Sequence, residues 1–366
     1  MKVLLLGDAS NYHSCLAAAL RRQGCTVVVA SAGSGWMDTR RDIDLSRGSS
    51  RLSGAWLYAR LMAMTRTSLR GFDVVQLVAP VFATLRPERL RPLFDRLRRA
   101  NGRIFLDALE ADPCYVEACT SANPPLPFSE WQVGLSPSPM ALANPGLRES
   151  WLALRPYYDY VLDRVDGVVT ALYEYHKVCS THIAPSRLAY GGIPVDLASL
   201  PVPKPRSGGK CRIMAAYHAT RMAEKGAGIL LDMARRIVAR HPGHATLDIV
   251  SNLPYDRFLG RLASADIVLD QLYACSPATT ALLAMALGAV PVTGGAGEYY
   301  RFIGEDRLRP IVTADPFSLD RTERDIEQLV LNPGALAAMR ADGRPFVARH
   351  NDADVVARRF IDFWTK

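Results

Sequence analysis

Short runs of apolar residues alternate with longer segments of helical periodicity along the first half of the chain. Lys2 to Gly7 and Thr26 to Ser31 have the pattern of buried strands, and the apolar spacing from His13 to Gln23 predicts a helix between them. Two further apolar runs, Asp73 to Val78 and Arg103 to Asp107, predict later strands. Buried strands that alternate with helices are typical of a parallel, doubly wound sheet.

A proline- and glycine-rich run, PVPKPRSGGK at 201–210, has the composition of a linker between domains. The alternation then restarts with a strand predicted at Arg212 to Tyr217. The pattern therefore predicts an α/β fold with two doubly wound, Rossmann-like parallel sheets. We place the two domains at 1–200 and 211–350, with an amphipathic helix in 351–366.

The second domain contains the most informative stretch, a strand, a helix and a strand between Ala263 and Glu298. Its first strand ends at Asp270, and Ser276 is placed to cap the helix with Pro277 as its first residue. Ligands of parallel sheets bind beyond the strand ends, and the N-terminus of a helix attracts anions. The stretch therefore predicts a site for a phosphate-bearing ligand. The candidate binding residues are Tyr273, Ser276, Thr279, Thr280, Gly294 and Gly295.

A second motif follows the predicted strand at Arg212 to Tyr217 and opens a helix. It contains His218, Arg221 and Lys225. Basic side chains beside a helix N-terminus fit the charge of a diphosphate. The alternative is that Arg221 and Lys225 are two ordinary surface cations.

The runs ADIVLDQL, LLAMALGAVPV and GGAGE together resemble the donor-binding segment of the retaining GT-B glycosyltransferases. The resemblance implies two Rossmann-like domains facing a cleft, with the C-terminal helix crossing back to the first domain. It also implies that Arg221 and Lys225 neutralise a departing nucleoside diphosphate without a metal or another cofactor. The usual segment carries two glutamates, whose positions are Cys275 and Leu283 in this chain. Uncharacterised glycosyltransferase-like proteins of gut Bacteroidetes show a similar pattern with a leucine at the second position.

The other candidate residues also lie near the ends of predicted strands. Glu298 follows the glycine turn and is the leading carboxylate for sugar or ribose hydroxyls; a surface glutamate at a helix start is the alternative. In the first domain the catalytic candidates are Glu110, Asp112 and His13, and the candidate loop residues are Asp8, Ser10 and Asn11. Two acids that serve solubility and a histidine that caps a helix are the alternatives for the catalytic candidates.

Positive charge is concentrated in one part of the chain. The net charge is +8, whereas residues 40–103 alone hold fourteen Lys and Arg against five Asp and Glu, a net of +9. The predicted helices at Arg51 to Arg70 and Arg86 to Arg99 mix these arginines with apolar residues. This composition fits peripheral contact with an anionic membrane, and a solvated arginine-rich face is the alternative. No nucleic-acid partner is expected, because no aromatic-plus-basic binding motif appears.

Composition predicts a cytoplasmic protein that can also bind peripherally at the inner face of the cell membrane. No run of eighteen apolar residues is present, and the run in MKVLLLGDAS is too short for a signal peptide. Seven scattered cysteines fit free thiols in a reducing compartment. We assign no metal site, because the D-x-D spacings at Asp42 and Asp352 lie away from buried strand ends. Residues 121–156 hold seven prolines and predict either a flap over the acceptor side or a disordered loop.

These features together predict a glycosyltransferase that moves a sugar from a nucleotide sugar to a glycan or lipid-linked acceptor in bacterial surface-polysaccharide assembly. The alternative is a catalytically inactive relative that binds a sugar nucleotide, a glycan or a partner protein, because both glutamates are replaced. A sugar-nucleotide epimerase is a weaker third candidate, since no suitable acid and base pair is found.

Overall fold

The computed structural model describes residues 1–33, 40–203, 208–217 and 219–366. Its strands and helices alternate in the way the hydrophobic pattern predicts. The strands, numbered in chain order, are β1 (Lys2–Leu6), β2 (Thr26–Ser31), β3 (Ile43–Asp44), β4 (Val74–Leu77), β5 (Arg103–Ala108), β6 (Gln132–Val133), β7 (Ser136–Pro137), β8 (Gly167–Thr170), β9 (Leu188–Tyr190), β10 (Cys211–Tyr217), β11 (Ala245–Ser251), β12 (Ile267–Leu269), β13 (Val290–Thr293) and β14 (Val312–Thr313).

The helices connect most of these strands and cover the sheets. They are α1 (Tyr12–Arg22), α2 (Arg51–Met64), α3 (Pro87–Ala100), α4 (Pro113–Cys119), α5 (Pro139–Ala143), α6 (Leu147–Leu152), α7 (Arg155–Leu162), α8 (Tyr173–Cys179), α9 (Met222–Lys225), α10 (Ala227–Arg240), α11 (Tyr255–Ser264), α12 (Thr279–Ala286), α13 (Gly297–Ile303), α14 (Leu319–Leu331), α15 (Pro333–His350) and α16 (Ala353–Thr365). Within the described ranges, none of them is long and apolar enough to span a bilayer.

The chain divides into two compact units, each with its own parallel sheet. The first unit contains Met1–Glu117, Glu149–Asp196 and Ala353–Lys366, and the second contains Ala118–Arg148 and Leu197–Asp352. The predicted fold class, two doubly wound parallel sheets, is confirmed.

The sheet of the first unit has the strand order β3-β2-β1-β4-β5-β8-β9, with all neighbours parallel. Leu4 on β1 lies opposite Val28 on β2 and Val75 on β4, and its side chain is buried. Because the chain turns from building one side of the sheet to the other between β1 and β4, these two strands form a topological switch point. The last helix, α16, packs on α1 in this unit, and Trp364 Nε1 donates to Gln76 Oε1 at 2.9 Å.

The sheet of the second unit has the strand order β11-β10-β12-β13-β14, again with parallel neighbours. Ile213 on β10 is opposite Ile267 on β12, and both side chains are buried in the core of the unit. The switch point of this sheet lies between β10 and β12, because β11 is added on one side and β13 and β14 on the other.

The segment 118–148 belongs to the second unit, whereas the sequence analysis places it in the first domain as part of a flap. It contains the β6–β7 hairpin and α5, and α5 packs on α9. Phe128 and Phe317 have ring centroids 6.0 Å apart in an edge-on contact. Aromatic and helix contacts of this kind hold the segment on the second unit, and neither the proline count nor the weak periodicity reveals them.

One predicted helix of the first unit also has different bounds. The helix expected at Arg51 to Arg70 ends at Met64, and turns follow, in which Leu69 N–H donates to Met64 O at 2.9 Å. Farther along the chain, two short helices are separated by a break, because α6 ends at Leu152 and α7 begins at Arg155. Pro156 explains the interruption, since proline lacks an N–H and fits the first turn of a helix.

Candidate functional site

The switch point of the second unit is flanked by the loop after β10 and the loop after β12. Because β10 and β12 are parallel neighbours, their carboxyl ends lie at one edge of the sheet. Side chains of open α/β sheets that bind ligands lie at such an edge. The residues that follow these two strands are therefore the first to consider.

Lys225 and Asp270 form an ion pair at this edge. The distance from Lys225 Nζ to Asp270 Oδ1 is 3.0 Å, and Thr293 Oγ1 donates to Asp270 Oδ2 at 3.4 Å. The Asp270 side chain is 1% exposed and that of Lys225 is 18% exposed. An ammonium has three N–H donors, of which this contact uses one. The carboxylate thus positions a cation that keeps access to solvent.

Gly226 fixes the backbone next to this lysine. Its φ is +63°, and a Cβ at this position would lie 2.8 Å from Leu272 Cβ. Leu272 N–H donates to Lys225 O at 2.7 Å. A residue with a side chain would be strained in this conformation and would collide with the loop after β12. Glycine therefore allows the two loops of the switch point to approach closely.

Gly294 and Gly295 follow β13, the next strand along the sheet, and both are buried. A Cβ at Gly294 would lie 2.2 Å from Ala274 O, and a Cβ at Gly295 would lie 2.8 Å from Ile311 Cγ2. The glycine turn thus packs directly on the backbone of the loop after β12. That its N–H groups donate to a ligand stays a prediction.

The prediction that Ser276 caps α12 with Pro277 as its first residue is wrong. The helix begins at Thr279, because Ala278 has the extended angles φ −94° and ψ −173°. Ser276 is buried, and the predicted donor residues Thr279 and Thr280 are half-buried in the first turn. The N-cap residue Ala278 makes no side-chain cap, and the first N–H groups of the helix carry a partial positive charge that can attract an anion.

At the two positions where the glycosyltransferase segment carries glutamates, this protein has buried residues without a carboxylate. Cys275 is buried, and its thiol points to Phe128 O of the segment 118–148 at 3.8 Å. Leu283 is also buried on α12. Tyr273, another predicted donor residue, is buried and contacts the position at which a Gly226 side chain would project. Neither replaced position offers a carboxylate to a ligand.

The remaining predicted donor residues differ in their placement. Arg221 Nε contacts both carboxylate oxygens of Glu224, at 3.1 and 3.0 Å, and the arginine side chain is 55% exposed. Glu298 is exposed in the first turn of α13. His218 lies outside the described residues. The structure therefore brings Lys225, Asp270, Tyr273 and the glycine turn together, while Arg221 is engaged with its helix neighbour.

In the first unit, the loop after β1 has unusual backbone angles. Gly7 has φ +84°, and the non-glycine residues Ser10 and Asn11 have φ +50° and +67°. Asp8 Oδ1 accepts the N–H of His13 at 2.9 Å and so holds the loop against the start of α1. The predicted loop residues Asp8, Ser10 and Asn11 therefore form one turn of defined shape. A role for them in binding stays a prediction.

His13 is enclosed and uses both ring nitrogens inside the protein. Its Nδ1–H donates to Gly7 O at 2.6 Å, and its Nε2 lies 2.7 Å from Asp107 Oδ2. Both side chains are 0% exposed. Burial raises the pKa of Asp107, and the hydrogen bond and charge of Asp107 outweigh burial to raise the pKa of His13. This geometry supports the alternative of a satisfied histidine at the helix start over the predicted catalytic role.

Glu110 and Asp112 follow β5, but their surroundings differ. Glu110 is exposed. Asp112 Oδ1 accepts the N–H of Tyr115 at 2.8 Å at the start of α4, and its Oδ2 accepts from Tyr158 Oη at 3.1 Å. Burial raises the pKa of Asp112 to about 6. The structure thus gives Asp112 a helix-capping contact and leaves Glu110 as the accessible candidate.

Sequence reasoning did not assign a role to Asp107 or to Asp270. Both end a buried apolar run, and a carboxylate there is a signal that could have drawn attention to them. Their partners, His13 and Lys225, are far away in the sequence and become neighbours only through the sheet. Among the described residues, no group of three or more His, Cys, Asp or Glu side chains is placed to hold a metal ion.

Neither a family model nor a curated protein matches this chain. Solved structures do resemble it over its whole length. An alpha-glucosyltransferase in complex with UDP and a 13-mer DNA containing an HMU base has a TM-score of 0.64 at 13% identity, with 100% of this chain and 99% of that chain covered. HepE from Anabaena in complex with UDP-glucose has a TM-score of 0.62 at 10% identity, covering 100% and 99%.

Sucrose-phosphate synthase from Thermosynechococcus elongatus has a TM-score of 0.61 at 12% identity, with 100% of this chain and 98% of that chain covered. Identities this low show the fold alone. The chain therefore has the fold of GT-B glycosyltransferases, with two Rossmann-like units.

Proposed function

We propose that this protein is a glycosyltransferase that uses a nucleotide sugar as donor. The observation that carries the proposal is the Lys225–Asp270 pair at the switch point of the second unit. A cation held by a buried carboxylate, next to the N-terminus of α12 and a buried glycine turn, fits the charge of a diphosphate. Two structural neighbours add support, because one is a complex with UDP and the other a complex with UDP-glucose.

In the proposed reaction, the bond between the anomeric carbon and the diphosphate oxygen breaks, and the nucleoside diphosphate leaves with the electron pair. An acceptor hydroxyl forms the new bond to that carbon and passes its proton to the departing diphosphate. Lys225 and the first N–H groups of α12 would stabilise the charge that develops on the leaving group. Asp270 would be a positioning residue, because it is buried against Lys225.

The finer features remain part of this proposal. Arg221 would add a second cation by exchanging Glu224 for the diphosphate, and Glu298 would contact sugar or ribose hydroxyls. In the first unit, Glu110 is the accessible carboxylate for an acceptor hydroxyl. We further propose metal-independent transfer with retention of configuration, to a glycan or lipid-linked acceptor of the bacterial surface. The leucine at position 283 would then be a subfamily trait.

The first experiment titrates a panel of nucleoside diphosphates and nucleotide sugars against the purified protein by calorimetry. We expect one nucleotide to bind, and Lys225→Met to weaken it by about ten- to a hundred-fold, because a hydrogen bond to a charged group is lost. Lys210→Met is the matched control, since Lys210 belongs to the same unit, precedes β10 and contacts Pro242 O at 2.6 Å. Equal affinities of the two variants would contradict the proposed donor site.

A second variant separates folding from binding. Lys225→Met leaves Asp270 buried without its cation, whereas Lys225→Met combined with Asp270→Asn removes both charges together. The double variant is expected to fold and still to bind weakly. Release of nucleoside diphosphate in the presence of acceptor extracts then tests turnover. If the protein binds a nucleotide but releases no nucleoside diphosphate with any acceptor, the alternative of a catalytically inactive relative is favoured. The replacement of the two glutamates by Cys275 and Leu283 is the sequence feature that supports this alternative.

A further inference from the structure

Helix α2 has apolar residues on two opposite faces. Leu57 and Leu61 face the core of the first unit and are 0% and 2% exposed. Leu52 and Trp56 point away from it and are 82% and 62% exposed. A helix that is apolar on both sides needs a second partner to cover the outer side.

The exposed apolar residues follow the helical repeat and form a continuous stripe. We call it the outer face of α2. It consists of Leu52, Ala55, Trp56, Ala59 and Ala63, all of which are exposed. Residues three and four positions apart are neighbours on a helix surface, so the stripe runs along most of its length.

The sequence around this stripe is positively charged and lacks acidic residues. Residues 45–72 contain no Asp or Glu but contain five arginines, at positions 47, 51, 60, 66 and 70. Arg60 lies over the Trp56 ring with its guanidinium carbon 5.4 Å from the ring centroid. The nearest acid before this stretch, Asp44, is already engaged by Arg41 at 3.1 Å.

One of these charges opposes the dipole of the helix itself. Arg51 lies in the first turn, where the helix dipole disfavours a cation, and this turn contains no acidic residue. The arrangement of arginines therefore points to an external anion. Tryptophan is enriched at the boundary between lipid and water, and arginine binds phosphate through its planar fork.

We infer that the outer face of α2 docks on the surface of an anionic phospholipid bilayer. Leu52 and Trp56 enter the boundary between head groups and acyl chains, and the surrounding arginines bind the lipid phosphates. This assignment narrows the membrane contact suggested by the composition of 40–103 to one helix. A second copy of the chain fits less well, because a symmetric contact would bring the two sets of arginines together. The inference does not depend on the donor site.

The test is co-sedimentation of the full chain with two kinds of vesicles, one of phosphatidylcholine alone and one with added phosphatidylglycerol. We expect binding to the anionic vesicles that weakens with salt. Leu52→Ser combined with Trp56→Ser should weaken it by at least roughly ten-fold, since the apolar insertion is lost. Leu135→Ser is the matched control, because Leu135 is 79% exposed in the second unit. Its binding should equal that of the wild type.

The charge is tested separately. Replacing Arg51, Arg66 and Arg70 by glutamine should weaken binding by roughly five-fold for each arginine. Replacing Arg235, Arg307 and Arg321 of the second unit changes the net charge equally, and these side chains are 57%, 81% and 74% exposed. Equal losses in both triple variants would overturn the inference.

Other outcomes would overturn it as well. Binding to duplex DNA but not to vesicles would assign the arginines to nucleic acid. A dimer in light scattering that Trp56→Ser abolishes, together with no vesicle binding, would assign the outer face to a second copy. Melting temperatures show whether each variant is folded, and little change is expected because the replaced side chains are exposed.

Discussion

Each unit has a buried aspartate at the carboxyl end of a central strand, but the two aspartates have different partners. In the first unit Asp107 pairs with His13, and both side chains are 0% exposed. In the second unit Asp270 pairs with Lys225, whose side chain is 18% exposed. The first pair is sealed and the second is open on one side. The comparison shows that a buried carboxylate at a strand end is a structural tie where its partner is enclosed and a candidate for binding where the partner reaches solvent.

The loops at the two switch points show the same difference. In the first unit, a Cβ at Gly7 would lie 2.2 Å from Val78 Cγ1, so the residues after β1 and β4 are in tight contact. In the second unit the loops also approach closely at Gly226, yet the ammonium of Lys225 is held beside them and retains access to water. This difference supports the proposal that a nucleotide binds in the second unit.

The largest expected effect concerns the sealed pair. His13→Ala should lower the free energy of unfolding by about 3–5 kcal/mol, because it leaves Asp107 buried without its partner. Urea titration with two spectroscopic probes measures this change. A control variant, His13→Gln with Asp107→Asn, keeps a donor and an acceptor in contact and should lose on the order of 1 kcal/mol. If His13→Ala loses no more free energy of unfolding than this double variant, the His13–Asp107 pair does not stabilise the fold.

The pair also predicts the direction of a pH effect. Because the pKa of His13 is raised from 6.5 in the folded state, the folded protein keeps a proton that the unfolded chain releases near neutral pH. The stability contributed by His13 is therefore fully present below pH 6.5 and is lost as the pH rises through its folded value. The double amide variant should lack this loss above neutral pH.

Asp112 is an intermediate case, in which a half-buried carboxylate accepts hydrogen bonds from Tyr115 N–H and Tyr158 Oη. Its pKa rises from 3.8 in the unfolded chain to about 6 in the folded protein, so the folded state holds the proton longer. Stability should therefore fall as the pH rises from about 4 to about 6, by at most about 3 kcal/mol. Asp112→Asn should remove this fall, since an amide does not ionise there and can still accept from Tyr115. Melting curves across this range measure it, with Glu110→Gln as the exposed control. If the stability of Asp112→Asn falls with pH as much as that of the wild type, the fall arises from other titratable groups.

The smallest effect on stability is expected in the second unit, at the exposed side chain of Arg221. Arg221→Ala should change the free energy of unfolding by no more than about 0.5 kcal/mol, because the Arg221–Glu224 pair is on the surface. Its effect should appear in nucleotide affinity instead. If Arg221 exchanges Glu224 for the diphosphate, Arg221→Ala lowers affinity and Glu224→Ala raises it in calorimetric titrations. A fall in affinity in both variants would show that the surface pair itself shapes the site.

Much of the fold could be predicted because local patterns and tertiary structure agree. The strands at Lys2–Leu6 and Val290–Thr293 are apolar except for one terminal residue each, and burial on both faces of a parallel sheet requires such runs. The bounds of helices were less predictable. The start of α12 at Thr279 depends on the extended backbone of Ala278, which Ser276 and Pro277 do not reveal.

The candidate site was predictable in part. Lys225 and the glycine turn could be proposed from the sequence because basic residues and glycines after strands have a direct physical use. Three other features could not be predicted, because each depends on a neighbour that the sequence does not identify. They are the ion pair of Arg221 with Glu224, the burial of His13 and the capping contact of Asp112.

The sequence by itself determined the two parallel sheets, the loops that follow their strands and the cluster of arginines around α2. These features follow from periodicity and composition, which act over a few residues at a time. The tertiary structure alone decided that residues 118–148 join the second unit, that Trp56 faces outward and that His13 and Asp107 meet across 94 positions. The reason is that burial and pairing depend on which distant segments the sheet brings into contact, and only the folded chain sets those distances.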